Sequence, residues 1–406
     1  MRQDALVKRC IITLMAIAIA FVLPLLVKLP HLDVRQAYVF PQSTWQWATG
    51  SVFSLGITSF LVSAVVVDVC RRAVPAFVRS SNAGRQRWTK AVLLLAMLFS
   101  ALLAYHVIRS VDAMVPLSRE TKASWFVALI AGQGVLATLA WWVSRRGIGH
   151  GFAVFAALGI ASELQDVVMT MRGKPAPSLA DGVQMVGVPL AIAIITVWVL
   201  GRHTSAPRSW TARVPASGIG PVVLAFVLPM LVTALALFGV VDARAAAAMT
   251  PGSVTFTVIA SLFTIVLSVA LGYANHSVVM GAEPPLRTAF WRSMPATLLF
   301  LLVFVWRPAL VGQAVVDPLS VVIATAVCMD LVAEIRARAA FGDLVVITSA
   351  VDVAAADLDA LRLRRAELVV FQRGVFFATM TRFFGLLVPI EMMVPADQAL
   401  PSLAEA

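Results

Sequence analysis

The chain has 406 residues, of which 60% are hydrophobic and only 13% are charged, and its formal net charge is +11. An ordinary soluble domain is close to half apolar and a quarter charged, so this composition excludes a wholly water-soluble protein and predicts a chain embedded largely in lipid. The basic residues gather in alternate loops between apolar stretches, which argues against nucleic acid as a partner.

Ten apolar stretches are long enough to cross a bilayer as helices, since one crossing takes about 20 residues. The predicted spans are 10–28, 51–70, 91–109, 123–143, 150–170, 182–201, 219–240, 254–274, 294–312 and 316–333. The first could instead be a cleaved signal peptide, but its apolar run has the length of a full span and further spans follow, which favours a retained helix.

The distribution of Lys and Arg predicts the orientation. The amino end and the loops on its side carry 16 of them, the opposite loops carry 9, and the rest lie beyond residue 335. Because positive residues stay on the cytoplasmic side, both termini are predicted to be cytoplasmic.

Two short features follow the first span. Pro41 and Gly50 bracket a segment with two tryptophans, which is either an interfacial belt or a short re-entrant helix. The second span begins SVFSLGITSF, and its small polar residues indicate close helix packing or a wet cavity.

The stretch Gly218–Pro221, at the start of the seventh span, is similar to residues 56–59 at the start of the second. This similarity suggests a repeat of five spans plus five.

Chemistry-bearing residues are sparse. The three cysteines and five histidines lack metal-ligand spacing, so neither a metal site nor a cofactor is predicted. Asp68, Glu163, Asp166 and Asp330 lie near span ends, where snorkelling to the headgroups is expected; a proton relay is the alternative. No enzymatic activity is indicated.

Beyond Gly342 the pattern changes to that of a small α+β domain. DLVVITS, AELVVFQR and VPIEMMVP are predicted strands, and VDVAAADLDALRLRR between the first two is a predicted helix with early acids and late arginines. PADQALPSLAEA is a predicted last helix. RGVFFATMTRFFGLL could be an interfacial segment, but its length and arginines argue against a span.

Five segments, in order, resemble motifs of the SecY family of protein-conducting channels. SVFSLGI at 51–57 is similar to the family's SIFALGI, AGRQR at 83–87 to its GRRK-type loop, and GIGHGFA at 147–153 to its GIGNGIS. RVPASGIGP at 213–221 and PLSVVI with Met329 and Asp330 resemble the openings of its seventh and tenth spans. The resemblance covers about residues 5–338.

The resemblance implies a mostly α, polytopic membrane protein in two inverted five-helix halves, 1–172 and 173–338, followed by a cytoplasmic domain at 342–406. It implies an apolar pore ring at Ile57, Leu61, Phe152, Ala156, Val223 and Ile323. It also implies a plug over 42–50, within which lie Thr44, Trp45, Gln46, Trp47 and Ala48. An apolar ring of this kind would resist ions yet offer no fixed hydrogen bonds to a passing peptide.

The implied partners are a polypeptide substrate, the bilayer and small SecE- or SecG-like subunits, in the bacterial cytoplasmic (inner) membrane. Four arginines are the predicted cytoplasmic partner contacts: Arg85, Arg87, Arg145 and Arg146. The loops between spans 6 and 7 and between spans 8 and 9 are shorter than in the family, which puts docking to a ribosome or motor ATPase in doubt and favours a specialised paralogue.

Two other functions stay open. The tail resembles small bacterial PII-like signal-transducing domains, so a membrane-anchored sensor on a SecY-like scaffold is one alternative. Inverted repeats also fit a small-solute secondary transporter, but that function requires a polar site near the midplane, and the sequence offers no convincing one.

Overall fold

The computed structural model describes residues 2–32, 51–73, 82–158, 186–201, 253–280, 318–351 and 353–403, with a few isolated positions between 232 and 305. Across these ranges the chain is mostly helical until residue 341. The long helices are α1 (Arg2–Leu26), α2 (Thr58–Ala73), α3 (Asn82–Met114), α4 (Arg119–Arg146), α5 (Val188–Gly201), α6 (Val254–Met280) and α7 (Pro318–Phe341).

These helices overlap the predicted spans wherever the structure describes them. The fifth predicted span is helical at 151–158 and its later residues lie outside the described part, as do most residues of the seventh and ninth. The second span begins at Thr58 rather than at residue 51, because 52–57 form turns.

Among the described helices, three are long and apolar enough to cross a membrane: Asp4–Leu23, Arg87–Met114 and Arg119–Arg146. Their outward faces carry large apolar side chains; Leu94 of α3, for example, is 69% exposed and Val127 of α4 is 66% exposed. Water would penalise such faces, whereas hydrocarbon would not, so the chain is a membrane protein of mostly helical structure.

Helix α4 shows how the local sequence sets a helix and its buried face. The Ser118 hydroxyl caps the first turn by accepting from the Thr121 amide, and Arg145 and Arg146 in the last turn complement the helix dipole. Its buried residues recur every three to four positions and therefore form one stripe along the helix. They are Trp125, Leu129, Gly132, Gln133, Leu136, Ala140 and Val143.

Among the described helices, the neighbours α2 and α3, and α3 and α4, pack on each other. Pairs distant in the sequence also pack: α5 against α7, and α1 against both α4 and α7. Two buried clusters result. A smaller one joins the end of α3 to the start of α4 around Trp125, whose indole donates to the Pro30 carbonyl at 2.7 Å. The larger one lies among α1, α2, α4, 151–158 and α7.

The tail is a three-stranded sheet with helices. Strands β1 (Leu344–Ala350), β2 (Phe371–Arg373) and β3 (Ile390–Pro395) are arranged in the order β1-β3-β2, with β3 antiparallel to both neighbours. Helix α8 (Val353–Arg365) connects β1 to β2, and its Ala356 and Ala360 pack on Ile390 and Met392 of β3. The short helix α9 (Val375–Met380), a 3-10 turn (Arg382–Leu386) and α10 (Ala396–Leu403) complete the tail.

The tail's predicted strands are all present, but the second is shorter than the sequence indicates. Residues 366–370 form no strand, because Glu367 adopts φ 63° and the amides after α8 bond back to its last carbonyls, as with Leu368 to Leu363. A left-handed residue there ends the helix and delays the extended backbone until Phe371.

Candidate functional site

The predicted pore-ring residues that the structure describes lie together. Ile57, Leu61, Ala156 and Ile323 are each at most 5% exposed and belong to the larger buried cluster. Phe152 is half-buried against the same cluster, with its ring centroid 5.3 Å from that of Phe60. Val223 lies outside the described residues. Three separate elements therefore contribute predicted ring residues to one buried cluster.

The other predicted site residues are placed only in part. The plug segment Thr44–Ala48 and the side chain of Arg85 lie outside the described part of the chain. Arg87, Arg145 and Arg146 are exposed. The Arg145 guanidinium lies 4.4 Å from the centroid of the Trp141 ring, which is a cation–π contact.

Close packing explains the small polar residues at the start of α2. The Gln133 amide of α4 donates to the Gly56 carbonyl at 2.8 Å, and its oxygen accepts from the Ser59 hydroxyl at 3.0 Å. A side chain at Gly132 would overlap the Val52 carbonyl, so the backbone of the turn lies directly on α4. Of the two interpretations of these residues, helix packing is thus what the described contacts support.

The glycine loop at 147–151 joins α4 to the helix at 151–158. Gly149 has φ 76°, which favours glycine, and a side chain at Gly151 would overlap the Ala140 carbonyl. The Thr13 hydroxyl of α1 accepts from the Ile148 amide at 2.8 Å and donates to the Ile148 carbonyl at 3.2 Å. The loop is therefore a tight connection locked to α1.

An aromatic segment of the tail lies in the same buried cluster. Residues 375–388, which we call the tail insert, contribute Phe376, Phe377, Met380, Phe384, Leu386 and Val388 to the cluster that holds Ile57 and Ile323. The sequence draws attention to this segment by its apolar, aromatic-rich composition, which is interpreted as that of an interfacial segment. The structure instead buries the insert among α2, α3 and α7.

Asp330 of α7 holds the beginning of the insert. Its carboxylate accepts from the backbone amides of Phe376 at 3.1 Å and Phe377 at 2.8 Å. Snorkelling, expected for this residue, is wrong because the side chain caps a buried helix start. It is also wrong for Asp68, which is 4% exposed and pairs with Arg71 at 2.9 Å. Glu163 and Asp166 lie outside the described residues.

Buried charges join the tail to the membrane helices. Glu334 of α7 pairs with Arg338 at 2.8 Å and with Arg373 of β2 at 3.0 Å, and it accepts from the Gly149 amide at 2.8 Å. Arg373 also pairs with Glu391 of β3 at 3.0 Å and donates to the Gly149 carbonyl. The two guanidinium and two carboxylate charges balance, which is what burial requires.

A cavity of about 10 Å³ borders this charge group, lined by His150, Asp330, Arg373 and neighbouring residues, and has room for about one water molecule. Across the described ranges, no group of three His, Cys, Asp or Glu side chains is placed to hold a metal ion. The ion group can hold the tail to the membrane helices, and Asp330 beside it binds peptide backbone.

No protein-family model matches the chain. Its sequence is 24% identical over 161 residues to the protein translocase subunit SecY of Rickettsia typhi, and equally to that of Rickettsia bellii. Each match covers 36% of this chain and 37% of the relative, so the chain spans little more than a third of the curated relatives it matches.

Solved structures resemble the chain over a greater length. Sec61 in the canine ribosome–channel complex from the endoplasmic reticulum matches with a TM-score of 0.56 and 13% identity, over 82% of this chain and 93% of that one. A SecY structure, described as showing that the plug domain stabilises the closed state of the translocation channel, matches with a TM-score of 0.55 and 12% identity, over 82% and 92%. At these identities the likeness shows a shared fold.

Proposed function

Because the chain is a divergent SecY-family protein, we propose that it is a channel subunit through which polypeptides pass or move sideways into lipid. The observation that carries the proposal is the burial of Ile57, Leu61, Ala156 and Ile323 in one apolar cluster. A closed ring of such side chains excludes ions and water, and it can open without breaking hydrogen bonds.

The proposal includes the ten-span, two-half architecture, with a plug over 42–50 and both termini in the cytoplasm. Apolar client segments would leave through a lateral opening, driven by burial of roughly 25 cal/mol per Å² of apolar surface. The function is transport, without a covalent step. The protein would be a specialised paralogue, and small SecE- or SecG-like subunits are its predicted companions.

Exposed arginines provide the proposed contact to a cytoplasmic partner. Arg87, Arg145 and Arg146 present fixed positive charge at the ends of α3 and α4. One of the similar structures is a ribosome–channel complex, which supports docking of the same kind here in spite of the shorter loops. The PII-like ligand binding suggested by the tail sequence stays a prediction.

Site-specific crosslinking to a stalled polypeptide tests the function. Leu61→Cys, in a chain with Cys10, Cys70 and Cys328 replaced by serine, should form a disulfide with a client that carries one cysteine in its apolar segment. The matched control is Leu94→Cys, an exposed leucine on the outward face of α3. If the Leu61→Cys and Leu94→Cys proteins, both normally expressed, form equal amounts of client adduct or none, the channel proposal is contradicted.

A further inference from the structure

The tail insert is held by groups that would hold other polypeptides as well. Three polar contacts from the surrounding helices go to its backbone: Asp330 accepts from two amides, and the Thr89 hydroxyl of α3 donates to the Leu386 carbonyl at 3.1 Å. Backbone groups are the same in every polypeptide. These contacts therefore do not depend on the insert's own sequence.

The rest of the groove is apolar. Phe377, Phe384 and Val388 of the insert are at most 1% exposed, and the two phenylalanine rings lie 5.5 Å apart between their centroids. The insert packs against α2, α3 and α7. Apolar side chains of these helices belong to the same buried cluster as the insert and four of the predicted ring residues. A groove with apolar walls and polar groups aimed at backbone suits an apolar peptide segment.

The insert is also tethered outside the groove. Arg373, just before it, bonds to Gly149 of the glycine loop, and a side chain at Gly374, where φ is 80°, would approach the His150 ring to 3.0 Å. After it, β3 pairs with both β1 and β2. The sheet thus keeps the insert beside the groove at high effective concentration, even when it is displaced.

Resting on the proposed function, we propose that the groove among α2, α3 and α7 is the entry site for an apolar client segment, and that the tail insert occupies it as an intramolecular competitor. A client must displace the insert before it reaches the ring. Only the molecules whose insert is displaced can then bind a client. The apparent affinity for the client is lowered in proportion to the fraction of such molecules.

A reversible lock tests the competition in the full chain. Thr89→Cys and Leu386→Cys, in the cysteine-free background, are joined with a short reducible bis-maleimide linker. The client carries a photoreactive benzoyl-phenylalanine in its apolar segment, so that client adducts are read without a cysteine. We expect the lock to lower the yield of client adduct by about tenfold or more, because a linked insert cannot leave the groove and be replaced by the client. Reduction of the linker should restore the yield.

The control lock lies within the tail. Asp357→Cys and Gln372→Cys join α8 to β2, where the two native side chains bond at 3.1 Å, and this lock leaves the insert free to move. It should leave the adduct unchanged. Equal adducts with the Thr89–Leu386 lock closed and open, with the linkage confirmed on a gel, would overturn the competition while leaving the channel function standing.

A release variant tests the same idea in the opposite direction. Phe384→Ala removes an insert side chain that is 1% exposed and leaves the groove's own residues unchanged. It should raise the client adduct several-fold, a gain that misfolding does not produce. A properly assembled Phe384→Ala protein with no gain would contradict the proposal. Client adducts absent from every state, locked, open and released, would overturn the channel function and the competition together.

Discussion

At the residue scale, several of the described buried polar side chains in the membrane region bind backbone groups. Gln133 binds the Gly56 carbonyl, Thr13 binds both backbone groups of Ile148, and Asp330 binds two amides. Each of these side chains forms a hydrogen bond with a backbone group where a helix begins or a loop turns. Lipid offers such backbone groups no hydrogen-bond partner. The polar residues that the apolar sequence retains are therefore expected to be costly to remove.

Replacing Gln133 by leucine should destabilise the protein. Leu fills much of the same space but leaves the Gly56 carbonyl and the Ser59 hydroxyl without their partner, at a cost of about 1–3 kcal/mol. The melting temperature in detergent, followed by tryptophan fluorescence, measures the loss. Thr138→Val is the control, because that exposed hydroxyl bonds to the Gly134 carbonyl of its own helix. Equal melting of the two variants would contradict the assignment.

Two glycines of α4 should respond differently to alanine. Gly132→Ala would push a methyl group into the Val52 carbonyl and should cost about 1–3 kcal/mol. Gly134→Ala meets nothing within 4 Å and should be neutral or stabilising by up to about 1 kcal/mol, the helix preference for alanine. Thermal melting of both proteins decides: if Gly132→Ala is as stable as Gly134→Ala, the backbone contact is not there.

At the element scale, the end of strand β2 links the tail to the membrane helices through buried charges. Arg373 lies at the last position of β2, between Glu334 of α7, Glu391 of β3 and the glycine loop. A buried ion group of this kind holds together the secondary-structure elements that carry it. Removing one charged member destabilises the protein more than replacing the whole group by apolar residues.

Arg373→Met should loosen the tail from α7. The substitution breaks the buried pair between Arg373 and Glu334 and leaves the Glu334 carboxylate with one guanidinium fewer. Breaking a buried ion pair in this way destabilises a protein by about 3–5 kcal/mol. Hydrogen exchange should rise across 371–391. Arg362→Met is the matched control, since that side chain is 78% exposed and its pair with Asp359 contributes little. Exchange that is unchanged in Arg373→Met would show that the ion group does not hold the tail.

At the scale of the whole molecule, the membrane region and the tail share a core. The predicted boundary near 342 divides the chain by composition, yet Phe376, Phe377 and Phe384 are buried with residues of α2 and α7. An appendage that folded alone would keep its aromatic residues in its own core. The tail is instead built into the described helices, so its removal would leave an apolar groove open.

A chain ending at residue 342 should be less stable than the full chain. It loses the insert's aromatic packing, worth about 1.5–3 kcal/mol for each large side chain buried. Size-exclusion profiles and melting in detergent measure the effect. The control keeps the tail and changes only its outer surface, Leu358→Gln with Leu361→Gln, both exposed on α8. Full stability of the truncated chain would show that the membrane region does not depend on the tail for its core.

The sequence by itself determined the lipid environment, most helix positions and the strand–helix order of the tail, because these follow from apolar length and periodicity, which are local properties. It also brought out the glycine loop and the channel motifs. Only the tertiary structure decided that residues 52–57 are turns and that Asp330 caps a buried helix. It likewise decided that the aromatic tail insert is buried in the same cluster as Ile57 and Ile323. Those outcomes depend on contacts between residues far apart in the sequence, such as Asp330 with Phe377, 47 positions away, and Thr89 with Leu386, 297 positions away. No local pattern records which distant surface an apolar segment will cover.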